Sequence, residues 1–178
     1  KSGRKVWITY VLEAKIVTEN GFSLSLATQW IENPTDQVFD KQDSENKAFK
    51  RLAQQLKKDF PRLPVMLLLD GLYPTNPVFT LCKEYRWGFI ITLKDNSLKS
   101  VQEQISDQRL FKQYDKAQRV DRNTTHWMKN KYKIFKGLDY KQQRLDVVKT
   151  VFETQHLKTD ATDTTRFAHI SNLDLDEV

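Results

Sequence analysis

Between Pro64 and Gly71 the chain runs through Val65, Met66, Leu67, Leu68 and Leu69 and then a carboxylate, Asp70. Five consecutive apolar residues between two breakers predict a short strand buried on both faces, as in the centre of an α/β sheet. Ligands and catalytic groups of open α/β sheets gather outside the carboxyl ends of such strands, and Gly71 lets the chain turn away so that Asp70 stays at that rim. Asp70 is therefore the leading candidate for a catalytic metal ligand. The competing reading is an Asp that only opens a turn.

Alternation over residues 6–17 predicts a long strand, and Asn20-Gly21 supplies a turn into a second strand over 22–31, giving an antiparallel hairpin. Glu13 lies within the first of these strands. After Asn33-Pro34 a polar loop leads to a helix of about 44–60, with Ala48, Phe49, Leu52, Ala53, Leu56 and Phe60 on its apolar stripe. Asp40, Asp43 and Glu45 gather at its start, where carboxylates offset the helix dipole. Glu13, Asp40 and Glu45 are the carboxylates that could stand behind a metal ligand; solvation of Glu13 and capping by the other two are the simpler readings. Asn76-Pro77 opens a helix that runs to about Arg86, Phe89 to Leu93 is another apolar strand, and Leu98, Val101 and Ile105 mark a further helix. The first 106 residues thus read β-β-α-β-α-β-α.

Beyond them the texture changes. Residues 109–149 hold twelve Lys and Arg against four Asp, a balance of +8 in a chain whose total is +6 (29 Lys and Arg, 23 Asp and Glu). Runs such as Lys131-Tyr132-Lys133-Ile134 and Leu145 to Phe152 alternate as strands do, so 109–165 reads as a small basic β subdomain. Such a concentration of positive charge favours nucleic acid or another polyanion as partner. Thr159 to Thr165 reads as a polar loop, Arg166 to Ser171 as a short strand, and Asn172-Leu173-Asp174 as the approach to a helix. One cysteine, Cys82, excludes an internal disulfide and suits a buried thiol in a reducing compartment. His126, His156 and His169 show no zinc spacing. No apolar run approaches the length of a membrane span and no signal-cleavage pattern follows the basic start, which points to a cytoplasmic protein.

A hairpin, a helix, an apolar strand ending in Asp, a helix and a strand match the order of a ribonuclease-H-like fold without its first strand. The residues resemble insertion-sequence DDE transposases whose catalytic core carries a β-rich insertion. The resemblance lies in Val11-Leu12-Glu13-Ala14-Lys15, in Asp40 to Glu45, in Leu67-Leu68-Leu69-Asp70-Gly71-Leu72-Tyr73 and in Phe167 to Leu173, and it spans nearly the whole chain. It implies an α/β, ribonuclease-H-like mixed sheet with a partial catalytic core over 1–108, a basic insertion over 109–165, and over 166–178 the last strand and the approach to a helix. It also implies three carboxylates holding two Mg2+ ions, with Mn2+ as a substitute, for cleavage and strand transfer of DNA. Asp70 matches the second carboxylate; the first would lie upstream of Lys1 and the final Glu near or beyond Val178, so the segment alone is expected to be inactive. The implied partners are transposon-end and target DNA and further copies of the chain, as a homodimer or higher oligomer in a synaptic complex, in a bacterial cytoplasm at the nucleoid. The insertion would meet DNA through Lys129, Lys131, Lys133, Lys136 and Arg144, with Trp127 or Tyr132 stacking on an unpaired base.

A non-catalytic DNA-binding or regulatory remnant is the principal alternative, and another ribonuclease-H-like nuclease or resolvase a more distant one. A nucleotide-binding α/β protein is disfavoured because no glycine-rich loop follows any strand.

Overall fold

The computed structural model describes residues 9–31, 41–122 and 126–175, with side chains in the first helix from Glu45 onward. It is a mixed α/β structure that divides into two compact units, Lys1–Pro64 and Val65–Val178.

In the first unit, β1 (Val11–Val17) and β2 (Ser23–Trp30) form an antiparallel hairpin. Gly21 takes a positive φ of 79° in the connecting turn, as the Asn-Gly pair predicts. The register slips between Ala14 and Lys15, a bulge that the strict alternation over 6–17 does not reveal. Helix α1 (Lys41–Asp59) packs on the hairpin with Ala48, Phe49, Leu52, Ala53 and Leu56 buried. Arg51 donates to the Trp30 carbonyl at 2.7 Å, and Gln29 and Gln55 join side chain to side chain at 2.8 Å.

The second unit is one six-stranded sheet in the order β3-β4-β8-β7-β6-β5. Strands β3 (Met66–Leu69) and β4 (Gly88–Thr92) are parallel and joined through helix α2 (Asn76–Tyr85). Helix α3 (Lys99–Leu110) leads into a meander of β5 (Asp115–Arg122), β6 (His126–Tyr140), β7 (Gln143–His156) and β8 (Thr162–Ser171), and β8 returns to pair antiparallel with β4. The basic β region expected as a separate insertion therefore continues the sheet that holds β3 and β4. The units divide between Pro64 and Val65, not at residue 108.

Strand β3 is an edge of this sheet. Its side chains alternate in exposure, with Met66 46% and Leu68 68% exposed and Leu67 and Leu69 half-buried. The expectation of burial on both faces is thus corrected: within its sheet β3 has one neighbour, and only one of its faces carries helices. On that face Phe89, Ile91, Phe135, Leu138, Leu145, Val147 and Ile170 are almost wholly buried with Val78, Phe79, Cys82, Val101 and Ile105 of α2 and α3. Phe79 stacks on Phe89 at 5.1 Å and meets Tyr140 edge-on at 5.6 Å. Burial pushes the Cys82 thiol up to about 12, which makes it a packing group and not a nucleophile. Helix α3 buries Val101 and Ile105 and is held further by glutamines. Gln104 both donates to the Asp139 carbonyl and accepts its N–H, and Gln108 donates to the Lys136 carbonyl.

Two polar residues pin the sheet. Buried Asp146 accepts the Gly137 N–H at 2.8 Å and the Leu175 N–H at 3.3 Å, fixing the bulge where Gly137 takes a φ of 64°. Asn172, expected to approach a helix, instead prolongs the pairing of β8 with β4, accepting from Phe89 N–H and donating to the Trp87 carbonyl, both at 2.9 Å.

The β6–β7 hairpin turns through Lys141 and Gln142 at φ 44° and 65°. Both positions favour Asn or Gly, so Lys141→Asn with Gln142→Gly should stabilise the chain by about 1 kcal/mol, read as a rise in thermal midpoint.

Candidate nucleic-acid interface

Strands β5 to β8 extend well past the ends of α2 and α3, and their pairing decides which side chains share a face. Trp127, Lys129, Lys131 and Lys133 of β6 stand at alternate positions and therefore point the same way. Their partners on β5 are Arg122, Val120, Gln118 and Lys116, and on β7 Gln155, Glu153, Val151 and Lys149. Arg166 of β8 pairs with Val151 and joins them. This is the face that, nearer β4, carries the helices.

The two sides of the extended region differ in charge. The helix-bearing side holds Lys116, Arg122, Lys129, Lys131, Lys133, Lys149 and Arg166 against Glu153. The other side holds Arg119 and Lys136 against Asp115, Asp121 and Asp163, with Arg144 opposite Asp139 beyond the bulge. On the basic side Lys131 is paired with Glu153, whose carboxyl that lysine holds below the usual carboxylate range. Arg122 lies over the Trp127 ring at 4.8 Å, and Lys116 and Lys133 flank the Tyr114 ring at 5.4 and 5.3 Å. Among the described residues Lys129, Lys133, Lys149 and Arg166 form no ion pair. Unneutralised cations ranged along a sheet face, with an exposed Trp beside them, suit a phosphodiester backbone and an accessible base.

At the inner end of this basic ledge a cleft of about 960 Å³ opens. Its floor is Phe135, Lys149, Val151 and Ala168, and its walls are Arg109 of α3 and the turn from Thr92 to Asn96. Half-buried Lys149 donates to Gln102 Oε1 at 3.4 Å. Burial holds its ammonium below the ordinary lysine range; Asp95 draws it back up and Arg109 pushes it further down.

Asp70 sits where β3 and β4 end side by side. It is exposed, and its Oδ1 accepts the Leu72 N–H at 2.9 Å, so it does open the turn. A Cβ at Gly71 would lie 2.7 Å from Cε of Lys94, a flexible side chain that also lines the cleft and would swing aside. No group of three His, Cys, Asp or Glu side chains that could hold a metal ion occurs among the described residues. They do not assemble a two-magnesium site around Asp70.

No protein-family model, curated protein or solved structure matches this chain. What the site can do must follow from its own residues.

Of the residues expected to meet DNA, the structure brings Trp127, Lys129, Lys131 and Lys133 together and sets three apart. Tyr132 faces the other side between Ala117 and Thr150; Lys136 lies on that side in an ion pair with Asp115; Arg144 lies there too, against Gly137 beyond the bulge. Glu13 belongs to the first unit, where bonds from Lys15 and Ser25 hold its carboxyl below the usual range. Glu45 is in the first turns of α1, and Asp40 lies outside the described residues. Sequence reasoning missed Lys94, Arg109, Lys149 and Arg166 as companions of the β6 lysines. The alternation of β7 placed Lys149 on one face, but only the pairing register says which face of β6 it joins.

Proposed function

We propose that this chain acts on DNA as the central part of an insertion-sequence DDE transposase with a ribonuclease-H-like core, its basic ledge gripping the backbone of transposon ends. The observation that carries the DNA-binding part is the gathering of cations on one face of β5 to β8, with acids prevailing on the other. The transposase part is supported by the order of hairpin, helix, strand, helix and strand, and by an exposed carboxylate at the rim where the parallel strands end. In this reading the protein works in the cytoplasm, pairs with further copies in a synaptic complex, and uses magnesium held by Asp70 with carboxylates of a preceding strand and a following helix. Asp70 by itself cannot fix two ions.

The test is duplex binding followed across salt. Each phosphate contact contributes a slope of about −0.9 in log affinity against log salt, so five or six contacts give about −5. A slope flatter than about −2 between 50 and 200 mM salt would sink the proposal.

A non-catalytic DNA-binding remnant is favoured by a different observation: Asp70 spends an oxygen on the Leu72 amide, and no described carboxylate joins it in a metal-binding group. Binding at transposon ends without chemistry, even in a longer reading frame, would decide for it.

A further inference from the structure

The cleft at the inner end of the ledge is chemically distinct from the ledge itself. Lys133 and Lys149 are direct cross-strand partners, and Arg109 comes over them from the last turn of α3. Arg109 and Lys133 also line an adjoining hollow with Ser106 and Tyr114. Three cations from three elements thus converge beside an apolar floor of Phe135 and Val151, Lys149 half-buried and Lys133 and Arg109 reaching in from exposed positions. We propose that the bottom of this cleft is a seat for one phosphate group, held by Lys149, Lys133 and Arg109. The proposal deepens the DNA-binding reading and rests on it for the ligand: a phosphate carried by a nucleic acid, as an internal diester or a terminal monoester.

The argument is one of unmet charge. Lys149 is half-buried, and among the described residues its ammonium has one hydrogen-bond partner, a neutral amide oxygen 3.4 Å away, and no ion pair. The charged groups that line the cleft with it are Lys133 and the Lys131–Glu153 pair from β6 and β7, Arg109 from α3, Arg166 from β8, and Lys94 and Asp95 from the turn before α3. Cations prevail, and Asp95 is the carboxylate whose field reaches the ammonium. Gathering like charges over an apolar floor costs free energy that a bound oxyanion returns. A bound phosphate favours the charged form of Lys149, the form that burial disfavours. Without ligand the depressed ammonium detracts from stability at neutral pH, and that cost disappears as pH rises past the ordinary lysine value. Lys149→Met therefore folds with a thermal midpoint equal to or above that of the wild type.

Calorimetric titration with inorganic phosphate, and with a short duplex with and without a 5′-phosphate, tests this. Lys149→Met binds inorganic phosphate about tenfold or more weakly than the wild type. Lys129→Met, on the ledge outside the cleft, weakens the duplex but leaves inorganic phosphate binding unchanged. A preference for the 5′-phosphorylated duplex that vanishes in Lys149→Met assigns the seat to a terminal phosphate; equal binding with the same Lys149 dependence assigns it to a backbone diester. Equal phosphate affinity in Lys149→Met and the wild type overturns the seat. Phosphate binding without duplex binding leaves the seat standing and overturns the DNA reading instead.

Discussion

Lys129→Glu, Lys131→Glu and Lys133→Glu introduced together are expected to abolish duplex binding at 150 mM salt, with affinity falling by about 10³-fold or more. The three side chains stand on one face of β6 at successive alternate positions. Reversal removes phosphate contacts and places anions where the backbone must lie, so lost attraction and new repulsion act together. The fold should tolerate the change, because none of the three is fully buried. The local cost is repulsion between residue 131 and Glu153 at an exposed site, where solvent screens it. The control is Arg119→Glu with Arg144→Glu, which removes as much charge per site from the opposite face and should leave affinity within about threefold. If both variants lose binding equally, the attraction is a property of net charge and the ledge is not an interface.

Asp70→Asn separates the catalytic reading from the remnant. The amide keeps a carbonyl oxygen to accept the Leu72 N–H, so stability should move by less than about 1 kcal/mol. In a protein that supplies the remaining carboxylates, loss of the Asp70 charge should lower magnesium-dependent strand transfer by about 10⁴-fold, the scale seen when one member of an interdependent catalytic set is removed. DNA affinity should be unchanged, since Asp70 is outside the basic ledge. Strand transfer at the wild-type rate in the variant would end Asp70's candidacy, and the turn would then account for the residue completely. Magnesium-dependent nicking by the 178-residue chain itself, absent from its Asp70→Asn variant, would show that the segment assembles a working site after all.

The sequence made much of this visible because its strongest signals are local. Asn20-Gly21 marks a turn whose glycine has positive φ, Asn76-Pro77 marks the start of α2, and the apolar run at 89–93 is β4 within a residue at each end. The alternation around Lys131 and Lys133 likewise puts those two on a common face, which the structure extends to Lys129. What escaped depends on pairing across distance or on residues without a signature. The β6–β7 turn is made by Lys141 and Gln142, neither of which advertises positive φ, so the alternating runs at 131–134 and 145–152 were legible as strands but the turn that joins them was not. Met66 and Leu68 are as apolar as Leu67 and Leu69, and nothing in their composition tells an edge strand from a central one. Polar Thr162 to Thr165 looked like loop yet pair with β7, because two long neighbouring strands carry the ladder past the point where apolar residues stop. The partnership of Lys149 with Lys133 depends on a bulge at Gly137 and a register that no window of sequence contains.

The length of β6 and β7 has a mechanical consequence. These strands hold 15 and 14 residues, about 50 Å end to end, and only the part around Phe135, Leu138, Leu145 and Val147 is clamped beneath helices. The sheet is in effect a cantilever, with a rigid root and a free end. Backbone amides at the root should exchange with solvent only when the whole unit opens, and those from His126 to Asn130 through small local excursions. Strands held at one end can change twist at the other without disturbing the root. A surface of this kind can bend to the contour of what it touches while the core behind it keeps its shape.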